Sequence, residues 1–207
     1  MPGYTHNQHA QPMTFGHYLL GLHEPIQRAM ELIEHDYELT NLCDLGCGAL
    51  AGTSFDIDRE LPAKLLGFTG VLEHTNDCVA ATDQATNIVA AMDNMAIPMS
   101  RSANEMHAWH MFEFNMIELS DAICEPSSMM PQKKNPDGAE LMRAKAGRVF
   151  GSLMTLLAAL KGLPLAYNTD MQEDKEPIFD AVDTALLCLE MSVAMWSTLT
   201  IHDSRMR

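Results

Sequence analysis

The run AELMRAKAGRVFGSLMTLLAALKGL, residues 139–163, constrains the fold more than any other segment. It is strongly helix-forming, and its second half is apolar on nearly every side. A helix without a polar face is buried among other helices. Composition points the same way, with 17 methionines and only 6 % aromatic residues. Methionine and alanine favour helices, whereas β-branched and aromatic residues favour strands. An all-α bundle is expected, and a β-sandwich is not.

Along the chain, long helical patterns alternate with polar loops, and no internal repeat is present. The opening MPGYTHNQHAQP reads as a loop, because Pro2-Gly3 is a turn signal and Pro12 suits a first helical turn. A helix is predicted over 13–36, with Leu19, Leu20, Leu22, Ile26, Met30 and Ile33 near one face and Pro25 kinking or breaking it. The glycine-bearing stretch CDLGCGALAGTSF is a loop, and a short helix follows over 56–66. A long helix is predicted over 76–117, kinked at Pro98. A proline-rich loop precedes the buried helix at 139–163, and a last helix is predicted over 175–201. Four long helices and no convincing strand result. Helices of ~25 residues, each ~38 Å long, with so much apolar surface need partners, which an intermolecular bundle supplies.

Charge narrows the function. The formal net charge is −15, from 28 acidic and 13 basic residues. Nucleic acid and anionic membranes both need a basic face, so neither is a partner. An anionic substrate has to find a local positive spot. Cysteines at 43, 47, 78, 124 and 188 form no CxxC pair and fit free thiols in a reducing compartment. Cys43 and Cys47 read as core or turn residues or as metal ligands, and no partner at metal-site spacing lies nearby. No signal peptide is visible and no apolar run reaches the ~20 residues of a membrane helix. A soluble, cytoplasmic protein is expected.

Three segments carry chemistry. Tyr4-Thr5-His6-Asn7-Gln8-His9 places hydroxyls, imidazoles and amides in a loop before a helix. Its residue types fit a polar N-terminal loop, and histidine is also the usual acid or base near neutral pH. Ser127-Ser128-Met129-Met130-Pro131-Gln132-Lys133-Lys134-Asn135-Pro136-Asp137 sets two adjacent lysines beside two hydroxyls, just before a helix N-terminus. That arrangement suits carboxylate binding and a lowered serine pKa, or simply a solvated loop. Tyr167 to Lys175 mixes a phenol, amides, carboxylates and one lysine. It reads equally as a solvated loop with a helix start.

The segment SSMMPQKKNPD resembles the signature loop of the fumarase/aspartase superfamily, and its QKKNPD ending resembles the argininosuccinate lyase and δ-crystallin branch. PGYTHNQHAQPMTFGHYLL, CGALAGTSFDIDRE, GRVFGSL and KGLPLAYNTDMQEDKEP fit that branch in the same order. The resemblance implies an all-α, long-helix lyase domain over 1–207 whose central helices assemble into a homotetramer, with active sites shared between subunits. It implies a carbon–nitrogen lyase that splits argininosuccinate to fumarate and arginine in arginine biosynthesis, with no cofactor or metal. Ser127 is then the base, Lys133 and Asn135 stabilise the dianion, and His6, held by Glu140, serves the acid side. Thr5, Ser128, Tyr167, Gln172 and Lys175 contact substrate, the last three on the leaving-amine side.

The departures concern substrate more than chemistry. Pro126 stands where the branch has glycine before the two serines, Asn7 replaces an apolar residue, and Ala80 and Thr82 replace the pattern's second serine and its arginine. Proline fixes φ near −65° and stiffens the loop hinge. A lyase for another N-substituted aspartate, such as ethylenediamine-disuccinate, and a non-catalytic δ-crystallin-like relative are the alternatives. The retained Ser127, Lys133, Asn135, His6 and Glu140 favour catalysis. The branch's first substrate-contact segment has no match here, so the chain reads as incomplete at its N-terminal side and at the end of its C-terminal domain.

Overall fold

The computed structural model describes residues 1–207. Four long helices dominate it: α1 (Phe15–Thr40), α4 (Asp83–His110), α5 (Asp137–Leu160) and α6 (Lys175–Thr198). Two shorter ones, α2 (Glu60–Leu66) and α3 (Thr75–Ala80), lie between α1 and α4, and a 3-10 turn (Thr169–Asp174) leads into α6. No helix is long and apolar enough to cross a membrane.

The four helices pack antiparallel in sequence order. On α4 and α5, Arg143 donates to Asn104 at 2.8 Å, and one turn away His107 meets Glu140 at 2.9 Å. On α5 and α6, Arg148 pairs with Asp180, and Gly138 sits against Met191. A Cβ on Gly138 would lie 2.8 Å from the Ile123 side chain and 3.1 Å from the Met191 sulfur, so only glycine admits this approach. Phe15, opening α1, packs against Trp109 near the end of α4 and Trp196 near the end of α6, with centroids 6.0 and 6.4 Å apart.

The main core runs through Ala29, Met95, Met99, Met106, Met142 and Met195, with Ile117 and Leu119 closing one end. A second cluster of four, Val89, Val149, Leu156 and Ala181, fills the other end. Only 32 of 207 residues are buried, and Leu141, Met154, Phe179, Leu186 and Val193 on α5 and α6 stay exposed. The long-helix fold is as expected, and the second half of α5 is not enclosed by this chain alone.

Several boundaries and elements differ from expectation. Residues 1–12 form a hairpin, β1 (Pro2–Thr5) with β2 (Gln8–Pro12), rather than a loop. Thr5 faces Gln8, leaving His6 and Asn7 as a two-residue turn, both with positive φ (54° and 58°). That is the mirror-image turn whose twist matches paired strands, and asparagine tolerates it well. The α1 cap is Thr14, whose hydroxyl accepts from His17, so the helix begins after Pro12. Pro25 lies inside α1 without ending it. The predicted 76–117 helix is two, because the backbone turns extended at Ala81 and the first turn of α4 follows Thr82. Two-residue pairings join β3 (Leu42–Cys43) to β4 (Gly70–Val71) and β5 (Ile117–Glu118) to β6 (Thr200–Ile201).

Candidate active site

One end of the bundle gathers the end of α4, the start of α5, the intervening loop and the C-terminal segment around an open cleft of about 710 Å³. Lys133, Asn135 and Glu140 line it, together with His107, His110, Glu118, Lys134 and His202.

The serine loop is a closed excursion. Glu125 and Asn135 exchange two backbone hydrogen bonds, at 3.1 and 3.0 Å, which pinch its base. The Asp137 carboxylate also accepts from the Glu125 amide. Inside the loop, Ser127 Oγ accepts from the amides of Met129 and Met130, both at 3.2 Å. Two amides aimed at one oxygen favour its anionic form, as in an oxyanion hole. Ser128 and Met129 are exposed.

The two lysines have different surroundings. Lys134 Nζ bonds Glu118 at 3.0 Å and Asp121 at 2.7 Å, which fastens the loop to β5. Burial pulls the Lys134 ammonium down, but its bonds to Asp121 and Glu118 outweigh that and hold it above the usual range. Both carboxyls sit below theirs because of the lysine. Lys133 makes no ion pair and is exposed at the cleft. It is the cation left for a ligand.

The histidines were not legible as a group. His107 and His110 stand one turn apart at the end of α4, and that i, i+3 spacing in HAWH was the available signal. Burial lowers the pKa of His110, whose Nδ1 accepts from the Leu119 amide, so it is a neutral brace between α4 and β5. His202 arrives from the far end of the sequence. Its Nδ1 donates to the Asn115 carbonyl at 2.9 Å.

The expected set is only partly brought together. Lys133, Asn135 and Glu140 line the cleft, and Ser127 and Ser128 lie on the same loop but outside that lining. Thr5 and His6 project from the hairpin turn, exposed, at the same end but outside the cleft lining. Within the chain the Glu140 carboxylate meets His107 through one oxygen and makes no bond to His6. Tyr167, Gln172 and Lys175 follow the opposite end of α5, a 24-residue helix, ~36 Å away at 1.5 Å per residue. There Gln172 donates to the Tyr167 hydroxyl at 3.0 Å, and Lys175 bonds Asp174 and the Met171 carbonyl. No group of three or more metal-ligating side chains is present, and Cys43, Cys47 and Cys78 are free thiols.

A family model described as a lyase matches residues 1–151. The chain belongs to this lyase family. It is 51 % identical over 206 residues to an argininosuccinate lyase of Lacticaseibacillus paracasei and 48 % identical over 206 residues to one of Leuconostoc citreum. In both comparisons all of this chain is covered, but only 45 % of the relative. The chain thus spans about half the length of the curated relatives it matches. Among solved structures, an EDDS lyase in complex with formate superposes with a TM-score of 0.90 at 31 % identity, over 100 % of this chain and 41 % of that one. A class II fumarase from Schistosoma mansoni shares the fold, with a TM-score of 0.83 at 19 % identity over 99 % of this chain and 48 % of that one. In lyase-family terms, the serine loop and Glu140 fall inside the matched 1–151, and Tyr167, Gln172 and Lys175 lie beyond it.

Proposed function

We propose that this chain carries the elimination machinery of an argininosuccinate lyase, cleaving argininosuccinate to fumarate and arginine. The observation that carries the reading is Ser127 Oγ under two backbone amides, on a loop whose next turn presents the unpaired Lys133. Ser127 as alkoxide removes a proton from the succinyl carbon next to the carboxylate. The C–H electrons pass into that carboxylate as a dianion, which Lys133 and Asn135 stabilise. Fixed positive charge where charge collects is the largest help such a weakly acidic proton can have. The C–N bond then breaks, its electrons leave with nitrogen, and a proton from the acid side completes arginine. His6, with Thr5, serves that acid side, and Ser128 helps seat the substrate. Tyr167, Gln172 and Lys175 take the leaving-amine side.

Those groups lie too far apart in one chain to meet on one substrate. A homotetramer with shared sites, built on the exposed apolar faces of α5 and α6, resolves this, and the reaction needs neither metal nor organic cofactor. A cytoplasmic setting fits the free thiols. A second reading, elimination from ethylenediamine-disuccinate, is supported by the likeness to the EDDS lyase structure. The greater identity to argininosuccinate lyases favours the first.

The test is fumarate formation, followed by absorbance, from argininosuccinate and from ethylenediamine-disuccinate, using the purified chain and the longest natural polypeptide that carries it. Turnover of the first substrate, lost in Ser127→Ala by about 10²-fold or more, supports the proposal. Turnover of the second alone moves the assignment to the other adduct. Full activity in the alanine variant removes Ser127 as base.

A further inference from the structure

We propose that His107 is a positioning residue of this site, holding the Glu140 carboxylate in place through an imidazole N–H. The inference rests on the lyase reading of the same cleft and adds a residue that the family resemblance did not assign.

The geometry carries it. His107 Nε2 lies 2.9 Å from Glu140 Oε1, and both side chains line the cleft beside Lys133 and Asn135. The pair is one rung of an α4–α5 ladder whose next rung is Arg143 on Asn104 at 2.8 Å. Residues 104 and 107 are one turn apart on α4, and 140 and 143 are one turn apart on α5, so the two rungs share one register.

The helix ends suit the pair as well. His107 is in the last turn of α4, where the dipole favours positive charge. Glu140 is in the first turn of α5, where it favours negative charge. Two antiparallel helices thus present each partner at the end matching its charge. The side chains are 32 % and 47 % exposed, so the pair faces the cleft rather than the core. A cross-strut intended for stability alone gains little there.

Only Oε1 of Glu140 is bonded, and Oε2 has no hydrogen-bond partner in the chain. A carboxylate oriented through one oxygen and open at the other is arranged to receive a second donor. That donor is His6 from another copy of the chain. This reconciles the intrachain bond with the His6 pairing that the resemblance implies. Glu140 serves both histidines, one oxygen each, and His107 fixes the angle at which the second is met. The other titratable groups lining the cleft are His110, Glu113, Glu118, Lys133, Lys134 and His202. None of them is bonded to Glu140.

The test compares His107→Leu with His107→Gln, whose amide reproduces the N–H at the Nε2 position. Activity and thermal melting are measured on the assembled protein. The expected result is a kcat loss on the order of tenfold in the leucine variant, as for other groups that orient a reacting residue. KM and melting temperature stay nearly unchanged, and the glutamine variant recovers most of kcat. Equal kcat in both variants, whether both normal or both low, overturns the proposal.

A spectroscopic arm separates this from failure of the lyase reading. In histidine-selectively ¹⁵N-labelled protein at low temperature, a downfield imidazole N–H should be present and should vanish in both His107→Gln and Glu140→Leu. If argininosuccinate is not turned over but that signal behaves so, the pair stands and the substrate assignment falls. If the wild-type protein lacks the signal, the pair itself falls.

Discussion

At the end of the bundle where α4 finishes and α5 begins, polar side chains reach across elements: His107 to Glu140, Lys134 to Glu118 and Asp121, His202 to Asn115. In the segment that follows the opposite end of α5 they stay within a few residues of one another: Gln172 to Tyr167, Lys175 to Asp174, Asn168 to Pro164 and Ala166. The cores differ in parallel. The braced end abuts the 14-residue cluster, and the other end of α5 packs on a cluster of four. Long-range bonds fix groups relative to one another, which proton transfer and charge stabilisation require. Local bonds fix a loop's own shape and leave it free to dock. The braced end therefore meets the positional demand of the proposed chemistry, and the segment after α5 fixes only its own shape.

The largest expected effect breaks the symmetry between neighbouring lysines. Lys133→Met should reduce kcat by about 10²-fold or more, since it removes the free cation of the cleft. Lys134→Met should cost far less, because its charge is already spent on Glu118 and Asp121. Steady-state kinetics on both variants checks this, and equal losses would mean that the loop clamp, not the free charge, limits catalysis. Next in size is Leu156→Ala in the small cluster, expected to cost about 2–5 kcal/mol in urea unfolding. Hydrogen exchange should then accelerate in 161–174 well before it does in 137–150. Uniform acceleration would show that the two ends unfold as one. Smaller still, Tyr167→Phe removes the acceptor of the Gln172 amide. It should raise KM by a factor corresponding to about 1 kcal/mol and leave kcat alone if the proposed contact with the leaving-amine side holds.

How much of this was readable beforehand follows the range of the forces involved. The helices announce themselves by apolar periodicity, a local property, and the sequence finds all four long ones, although it runs α3 and α4 together and carries α4 past His110. The signature residues at 127–140 were legible through resemblance. The hairpin was missed because His6-Asn7 lacks the glycine that usually marks a two-residue turn. The strands at 42–43, 70–71, 117–118 and 200–201 are two residues each and exist only through partners distant in sequence. The break at Ala81–Thr82 carries no proline or glycine, and propensity alone cannot locate it. His107 escaped for the same reason, since its meaning lies in the register of α4 against α5, 33 residues away.

The smallest expected effect sets the clamp at the braced end against a buried acid in the middle of α4. Asp93 is buried with Oδ1 unpartnered, and burial raises its pKa to about 6. A carboxyl whose folded value lies above its unfolded one stabilises the fold when protonated, and that contribution is lost as pH rises through about 6. Glu118 and Asp121 have the opposite sign. Held low by Lys134, they stabilise the fold above the ordinary carboxylate range and lose that contribution as pH falls through their depressed values. Acidification from neutral pH should first relieve Asp93 and only afterwards undo the clamp. Urea unfolding of Asp93→Asn should show added stability at pH 7.5 and none near pH 4, while Lys134→Met should lose stability at pH 7.5 and converge with wild type in strong acid. If Asp93→Asn is instead destabilising at pH 7.5, the carboxylate has found a donor in the assembled protein, and the middle of α4 is then an interface rather than an interior.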